Sequence, residues 1–420
     1  MVPHTNKKPD SIMNIKQLAA CISAAMLLSA CGGSGSNTGG PNTDNSNTDK
    51  SALCSSEAKS VNWEKVRQAD AEKLSEYRLF DNPCDPTQNA SNRGLAYDLS
   101  APLFTDYASK YRFVFIPEGQ TASYSAAETF DFPVGSVIVK TFSMPTDTSE
   151  RGVEKEQIIE TRLLIRKEAG WVARPYVWNA EETEASWDRT GEVVAINNLK
   201  HGNDTLSFNY GVPNQNSCTT CHQFNPNGDN DTVDGIDPTP NVFSPIGPKA
   251  RYLNSDFDYG QGPENQLQKW VSENMLSGLP SDSGDIQQAA SFSDEVDLSN
   301  YSGTPEQLTA TAKAWLDINC GHCHRTEGQA SNTAFRADFN IPWAGNEGYH
   351  GACAVAVSGA SEGSARIIEP GNASLSLLYN RMNTTEAGDM MPPLGRAVIH
   401  QEGTALIEAW INSMDPSLCN

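Results

Sequence analysis

The sequence predicts an α+β protein. A β-rich amino-terminal domain, an antiparallel sheet or sandwich, is followed by a cysteine-bearing region and an all-α carboxy-terminal domain. Three observations predict this. From about residue 100 to 215, β-branched and aromatic runs of strand length alternate with Gly, Pro and Asp turns. Beyond residue 300 the apolar residues recur at helical spacing instead. The chain has 420 residues, 38% of them hydrophobic, enough for a sizeable core and for more than one domain. Its 30 Lys and Arg against 52 Asp and Glu leave a net charge of −22. That balance excludes a nucleic-acid binder, which needs a positive footprint, and points to neutral or basic partners.

The amino terminus is an address. Leu18–Ala30 is an apolar run preceded by Lys7, Lys8 and Lys16. It is shorter than the roughly 20 residues a transmembrane helix needs, and residues 1–30 read as a secretory signal starting at Met1 or Met13. Residues 32–50 contain no apolar side chain, so 31–50 reads as a flexible tether. Leu28-Ser29-Ala30-Cys31 resembles a bacterial lipobox. The resemblance implies a lipid-bearing Cys31, anchorage on the periplasmic side of the cell envelope, and outer-membrane sorting through Gly32. More than one acyl chain makes such an anchor stable.

The β-rich domain spans 51–215 and begins with helical segments near 63–78. Its strands are Tyr111–Ile116, Val137–Phe142, Ile158–Arg166, Trp171–Trp178, Glu192–Ile196 and Thr205–Val212. It carries no nucleophile elbow, P-loop or dinucleotide fingerprint. Arg151, Lys155, Arg162, Arg166, Lys167 and Arg174 stand out as a basic cluster, suited to an acidic group or to a solvated sheet face.

The cysteines carry the chemistry. Without Cys21 and Cys31, eight remain, four of them in Cys218-Thr-Thr-Cys221-His222 and Cys320-Gly-His-Cys323-His324. Both are C-x-x-C-H, the c-type haem attachment signature. Two thiols add to the two haem vinyl groups, and the following His aims its imidazole at the iron. Chance gives roughly 0.004 such motifs at this composition, against two present. A zinc half-site would need further ligands at matching spacing, and a redox dithiol has no use for the His. The expected cofactors are therefore two covalently bound haem c. Cys54, Cys84, Cys353 and Cys419 are even in number in an oxidising compartment. Sequence proximity favours Cys54–Cys84 and Cys353–Cys419 disulfides.

The first haem-binding region covers 216–300. Its Asn225–Asp237 stretch is rich in oxygen ligands but lacks EF-hand spacing, and reads as a solvated loop. Pro263–Ser277 reads as a helix with Leu267, Val271 and Met275 on one face, beside Trp270. Met275 and His201 are candidates for the sixth iron ligand of the first haem, with a lysine, another group or an open position as alternatives.

Residues 301–420 form the expected all-α domain with the second haem. Thr304-Pro305-Glu306-Gln307 opens a helix by capping box and Pro at the first position. Leu308, Ala312, Trp315 and Leu316 share its apolar face, and the helix runs into Cys320. A closing helix carries Leu406, Trp410 and Met414. This order, with Met390-Met391-Pro392-Pro393 between, resembles class I cytochromes c. The resemblance implies His324 as proximal ligand and Met391 as distal ligand, with Met390 its rival. Thioether sulfur raises the potential. His322, His350 and His400 read as bystanders, His322 at the surface.

The mature chain is similar to a family of uncharacterised bacterial di-haem c-type cytochrome lipoproteins. The phrases LSEYRLF, APLFTDYASKYRFVFIP, FPVGSVIVKTF, ETRLLIR, WVARPYVWNA, IGPKARYLN, CGHCH and MPPLG carry the similarity. It implies a membrane-tethered carrier of electrons between redox partner proteins, and supplies no substrate. Two other readings stand beside it: a di-haem peroxidase or oxidase open at the first haem, and a substrate-binding protein whose haems accept electrons.

Overall fold

Antiparallel pairing organises the β-rich half. The computed structural model describes residues 54–55, 59–228, 241–294, 298, 301–356 and 365–420. The expected signal, tether and Cys31 lie outside them, as does most of the Asn225–Asp237 loop. The first helix, α1, is Trp63–Gln68, and a 3-10 turn follows at Leu74–Tyr77. Strands β1 (Gly94–Ala96), β2 (Ser109–Phe115), β3 (Ala122–Ser123), β4 (Val137–Pro145), β5 (Glu156–Lys167), β6 (Gly170–Trp178), β7 (Ala185–Trp187), β8 (Glu192–His201) and β9 (Asp204–Val212) come next. Six of them form one sheet in the order β1-β2-β4-β5-β6-β7, and β8 and β9 form a separate hairpin. Strand β3 instead pairs in parallel with Leu276–Ser277.

Alternation along these strands sorts side chains to two faces. One face sends Phe113, Phe115, Val139, Leu163 and Tyr176 onto the amino-terminal Val66, Leu74, Tyr77 and Phe80. The other face is divided. Val114 and Ile138 join the largest core, and Phe142 joins a core with Tyr107 and the hairpin's Ile196, Leu199 and Tyr210. Between them Arg112 pairs across the sheet with Lys140, and Lys140 with Arg162. A cationic stripe therefore crosses this face between two apolar zones.

The remaining helices are α2 (Thr219–His222), α3 (Ala250–Leu253), α4 (Gln266–Ser272), α5 (Pro305–Asn319), α6 (Leu377–Met382) and α7 (Gln401–Asn412). Helix α4 is shorter than the expected Pro263–Ser277. Asn265 caps its start, and Asn274 turns the chain at φ 55° after its end. Helix α5 has the expected Thr304–Gln307 capping box with Pro305 at its start. Among the described residues, no helix is long and apolar enough to cross a membrane.

The all-α class I cytochrome c domain expected at 301–420 is not what forms. Between α5 and α7 the described chain is mostly irregular, with the six-residue α6 and isolated bridges Ala352–Ile368 and Val355–Arg366. The apolar faces of α5 and α7 meet each other, with Trp410 Nε1 donating to Thr309 Oγ1 at 3.2 Å, and are also joined to residues of the β-rich part. One core joins Leu308, Trp315, Leu406 and Trp410 to Tyr97, Val114, Ile138 and Trp270. Amphipathic periodicity specified two helices correctly, but it does not say what covers their faces. Ser46–Asn420 accordingly forms one compact unit.

Candidate functional site

The two C-x-x-C-H motifs fold as helical turns, which brings residues i, i+3 and i+4 to one side. Asn214 caps the first turn by accepting from Ser217 N at 2.8 Å, and the chain passes directly into α2 with Cys221 and His222. The second motif continues from α5. Cys323 N and His324 N both donate to Cys320 O, at 3.0 and 2.9 Å. All four motif cysteines are free and half-buried, whereas Cys54 is bonded to Cys84 and Cys353 to Cys419.

Each motif histidine is oriented through Nδ1. His222 Nδ1 lies 2.8 Å from Ser244 O, which can only accept, so Nδ1 carries the hydrogen. Phe243 stacks on this ring at 5.0 Å and 6°. His324 Nδ1 lies 3.2 Å from Thr333 Oγ1, whose own hydrogen goes to Ala330 O at 2.9 Å. In both rings this leaves the lone pair on Nε2. Burial pushes both imidazoles down to about 4, so both are neutral at physiological pH. A neutral ring fixed by its second nitrogen is the usual form of a metal-ligating His.

The motifs, distant in sequence, touch each other. Cys323 Sγ donates to Thr220 O at 3.5 Å across a separation of 103 residues, and the Cys221 and Cys323 side chains are hydrogen-bonded. Asn225 N donates to Glu327 O at 2.8 Å, and Arg325 lies over the Phe224 ring. His322, expected at the surface, is half-buried in this junction and bonds to Cys221.

The cationic stripe faces the first motif. Lys140 acts electrostatically on His222, and Arg162 on Cys218. Arg112 is paired with Asp98, and Arg162 with Glu160 at 2.5 Å. Lys140 forms no ion pair among the described residues, though Glu160 acts on it electrostatically. Burial, and then Arg112, Lys110 and Arg162, push its ammonium well down. Three cations in a row on one face suit an anionic group. The carboxylates of a haem are suited to that place. Free thiols, oriented imidazoles and this stripe together fit a covalently attached haem at the first motif, and thiols with an oriented imidazole fit one at the second.

The basic cluster read from the sequence is dispersed. Arg151 reaches Tyr107 O, Lys155 pairs with Glu150, Arg166 bonds Lys167 O, and Lys167 and Arg174 share Asp70. Arg162 alone of the six joins the stripe. Its partners Arg112 and Lys140 sit on other strands, and only pairing register reveals the ladder.

The candidate sixth ligands fare differently. His201 is at the turn end of the β8–β9 hairpin, and Cys218 follows the other end of β9, roughly 26 Å of strand away. Both its ring nitrogens are engaged, Nδ1 with Thr148 Oγ1 and Nε2 with Glu402 Oε1, each at 2.9 Å. The structure therefore corrects the His201 assignment. Met275 is buried in the main core beside Trp270 and Leu276. Met391 donates its backbone N–H to Arg381 O at 2.9 Å, and the Arg381 charge acts on His324, which puts this loop on the second motif's side. Met390, one residue earlier, donates to Glu386 O at 3.0 Å. His350 lies between Arg336 O and Ile341 O, a structural role. His400 sits with Asp294 and Glu402 in a part-buried cluster that spacing along the chain gives no sign of.

No family model matches the chain, and no curated protein or solved structure matches it.

Proposed function

We propose that this chain is an exported, lipid-anchored electron carrier between redox partner proteins, holding two haem c groups. Cys218, Cys221 and His222 would hold one, and Cys320, Cys323 and His324 the other. The observation that supports it is the contact between two attachment turns that lie 103 residues apart in sequence. Haem iron bound there supplies reversible one-electron chemistry whose potential follows from axial ligand, burial and nearby charge. The chain's own residues do the rest. Ser244 and Thr333 hold the imidazoles, the stripe receives negative charge, and the shared core keeps water away. Met391 is the proposed second ligand at the second site, with Met390 as its rival.

The purified mature protein is expected to give two haems per chain by pyridine haemochrome. The Cys218→Ala/Cys221→Ala variant should give one, and a wild-type protein without haem absorbance ends the proposal. Lys140→Met is expected to lower the potential of the first haem and leave the second unchanged: an anionic group seated on the stripe would keep the ammonium charged, and losing that charge favours ferric iron. Potentiometric titration reads this, and two unshifted potentials would place the stripe away from the cofactor. One observation favours a peroxidase or oxidase as second reading: His201 is held far from His222, and Met275 is packed in the core. Rapid carbon monoxide binding at one reduced haem would select that reading, and no binding would select the carrier.

A further inference from the structure

Four distant segments converge where the turn end of the β8–β9 hairpin meets the start of α7. His201 ends β8, His400 is the N-cap of α7, Glu402 lies in its first turn, and Asp294 and Tyr107 come from loops. His400 Nε2 lies 2.9 Å from Asp294 Oδ1 and 3.6 Å from Glu402 Oε2. One ligand atom from each of the three lies within 4.8 Å of the others. Bonds of about 2.0–2.1 Å to a tetrahedral ion place its ligand atoms roughly 3.3 Å apart. The two His400 distances bracket that value.

The surroundings are built to hold these atoms still. His201 Nε2 bonds Glu402 Oε1 at 2.9 Å and is itself tied to Thr148. Tyr107 OH donates to Glu402 Oε2 at 3.0 Å while accepting from Gln401 N at 3.0 Å. Hydrogen bonds behind a carboxylate ligand are the shell that metal sites use to fix it. Phe104 stacks on the His400 ring at 4.1 Å and 10°. Gly403 leaves room for that ring, since a Cβ there would lie 2.5 Å from His400 Nδ1. The His400 side chain is only 7% exposed. Asp294 is about one-third exposed and gives an ion a way in. A single ring nitrogen carries at most one hydrogen, yet two carboxylates converge on it.

We propose that Asp294, His400 and Glu402 bind a first-row divalent cation, with a fourth position open to water. Three nitrogen and oxygen ligands with an open position suit Zn²⁺. Lys110 acts on Asp294, as does Arg151, whose Nη2 lies 3.8 Å from Asp294 Oδ2, and the cation would displace the Arg151 contact. The site is separate from the two C-x-x-C-H motifs and does not depend on their reading.

The experiment is equilibrium dialysis of the chelator-treated full chain against ZnCl₂, with zinc and iron counted together. One saturable zinc per chain is expected. Glu402→Gln and Asp294→Asn should each weaken it beyond the roughly 10–100-fold that a second-shell change produces, and His201→Gln should fall within that range. Haem content should be the same in all four proteins. Asp294→Asn alters a part-exposed side chain, so it tests the site even if Glu402→Gln fails to fold. Zinc uptake that neither variant changes, or no saturable uptake, overturns the site and leaves His400 as a hydrogen-bonding bridge. If the haem reading were wrong, the free thiols would take zinc in a manner indifferent to Asp294, so the two failures are distinguishable.

Discussion

Asp317→Ala is expected to destabilise the fold by about 3–5 kcal/mol, the cost of leaving a buried charge without its partner. Asp317 lies in the last turn of α5, just before Cys320. Its carboxylate accepts from Arg251 Nε at 2.9 Å, Arg251 Nη2 at 2.8 Å and Tyr252 OH at 2.6 Å. The side chains of Arg251 and Asp317 are 2% and 5% exposed, so solvent screens little of this interaction. Without the carboxylate the guanidinium keeps Ala127 O but no anion. Burial pushes the Asp317 carboxyl up, yet Lys249, Arg251 and Tyr252 together bring it below the ordinary value of 3.8. A depressed carboxylate contributes stability that is full above its unfolded value and is lost as pH falls through the folded one. The difference between wild type and variant in urea unfolding should therefore be large at neutral pH and shrink below about pH 4. A difference under about 1 kcal/mol at neutral pH, the range of an exposed pair, would refute the buried network.

Loss of the Cys353–Cys419 disulfide should cost about 4 kcal/mol, because it closes a separation of 66 residues and restrains the unfolded chain. The enclosed segment includes the Met391 loop and α7. Its internal hydrogen bonds, such as Gly371 N to Ile411 O at 2.9 Å, form only once the chain has folded, so they do not restrain the unfolded chain. The Cys54–Cys84 bond closes a separation of 30 residues and should contribute about 3.5 kcal/mol. Thermal unfolding of Cys353→Ser/Cys419→Ser against wild type measures the first. An unchanged midpoint would mean that the core alone holds the carboxy-terminal segment.

Much of the candidate site was legible in the chain itself. C-x-x-C-H is a local motif, so its residues need no partner from elsewhere to form a turn with thiols and imidazole on one side. Strands β4 to β6 were legible because β-branched and aromatic runs are bounded by turn residues. Helix α5 was legible because its cap, its proline and its apolar stripe agree. The all-α carboxy-terminal domain was the wrong inference from two correctly read helices. Trp315 and Trp410 show only that a face is buried; Tyr97 and Val114, from the β-rich half, are in the same core.

The sequence by itself determined the turn chemistry of the two motifs, the positions of the main strands and the apolar faces of α5 and α7. These depend on residues within a few positions of one another. Tertiary structure alone decided that the motifs meet at Thr220 and Cys323, that Arg112, Lys140 and Arg162 form one stripe, and that His400 joins Asp294 and Glu402. Each of these depends on strand register or on packing between remote segments, and side-chain periodicity carries no information about either.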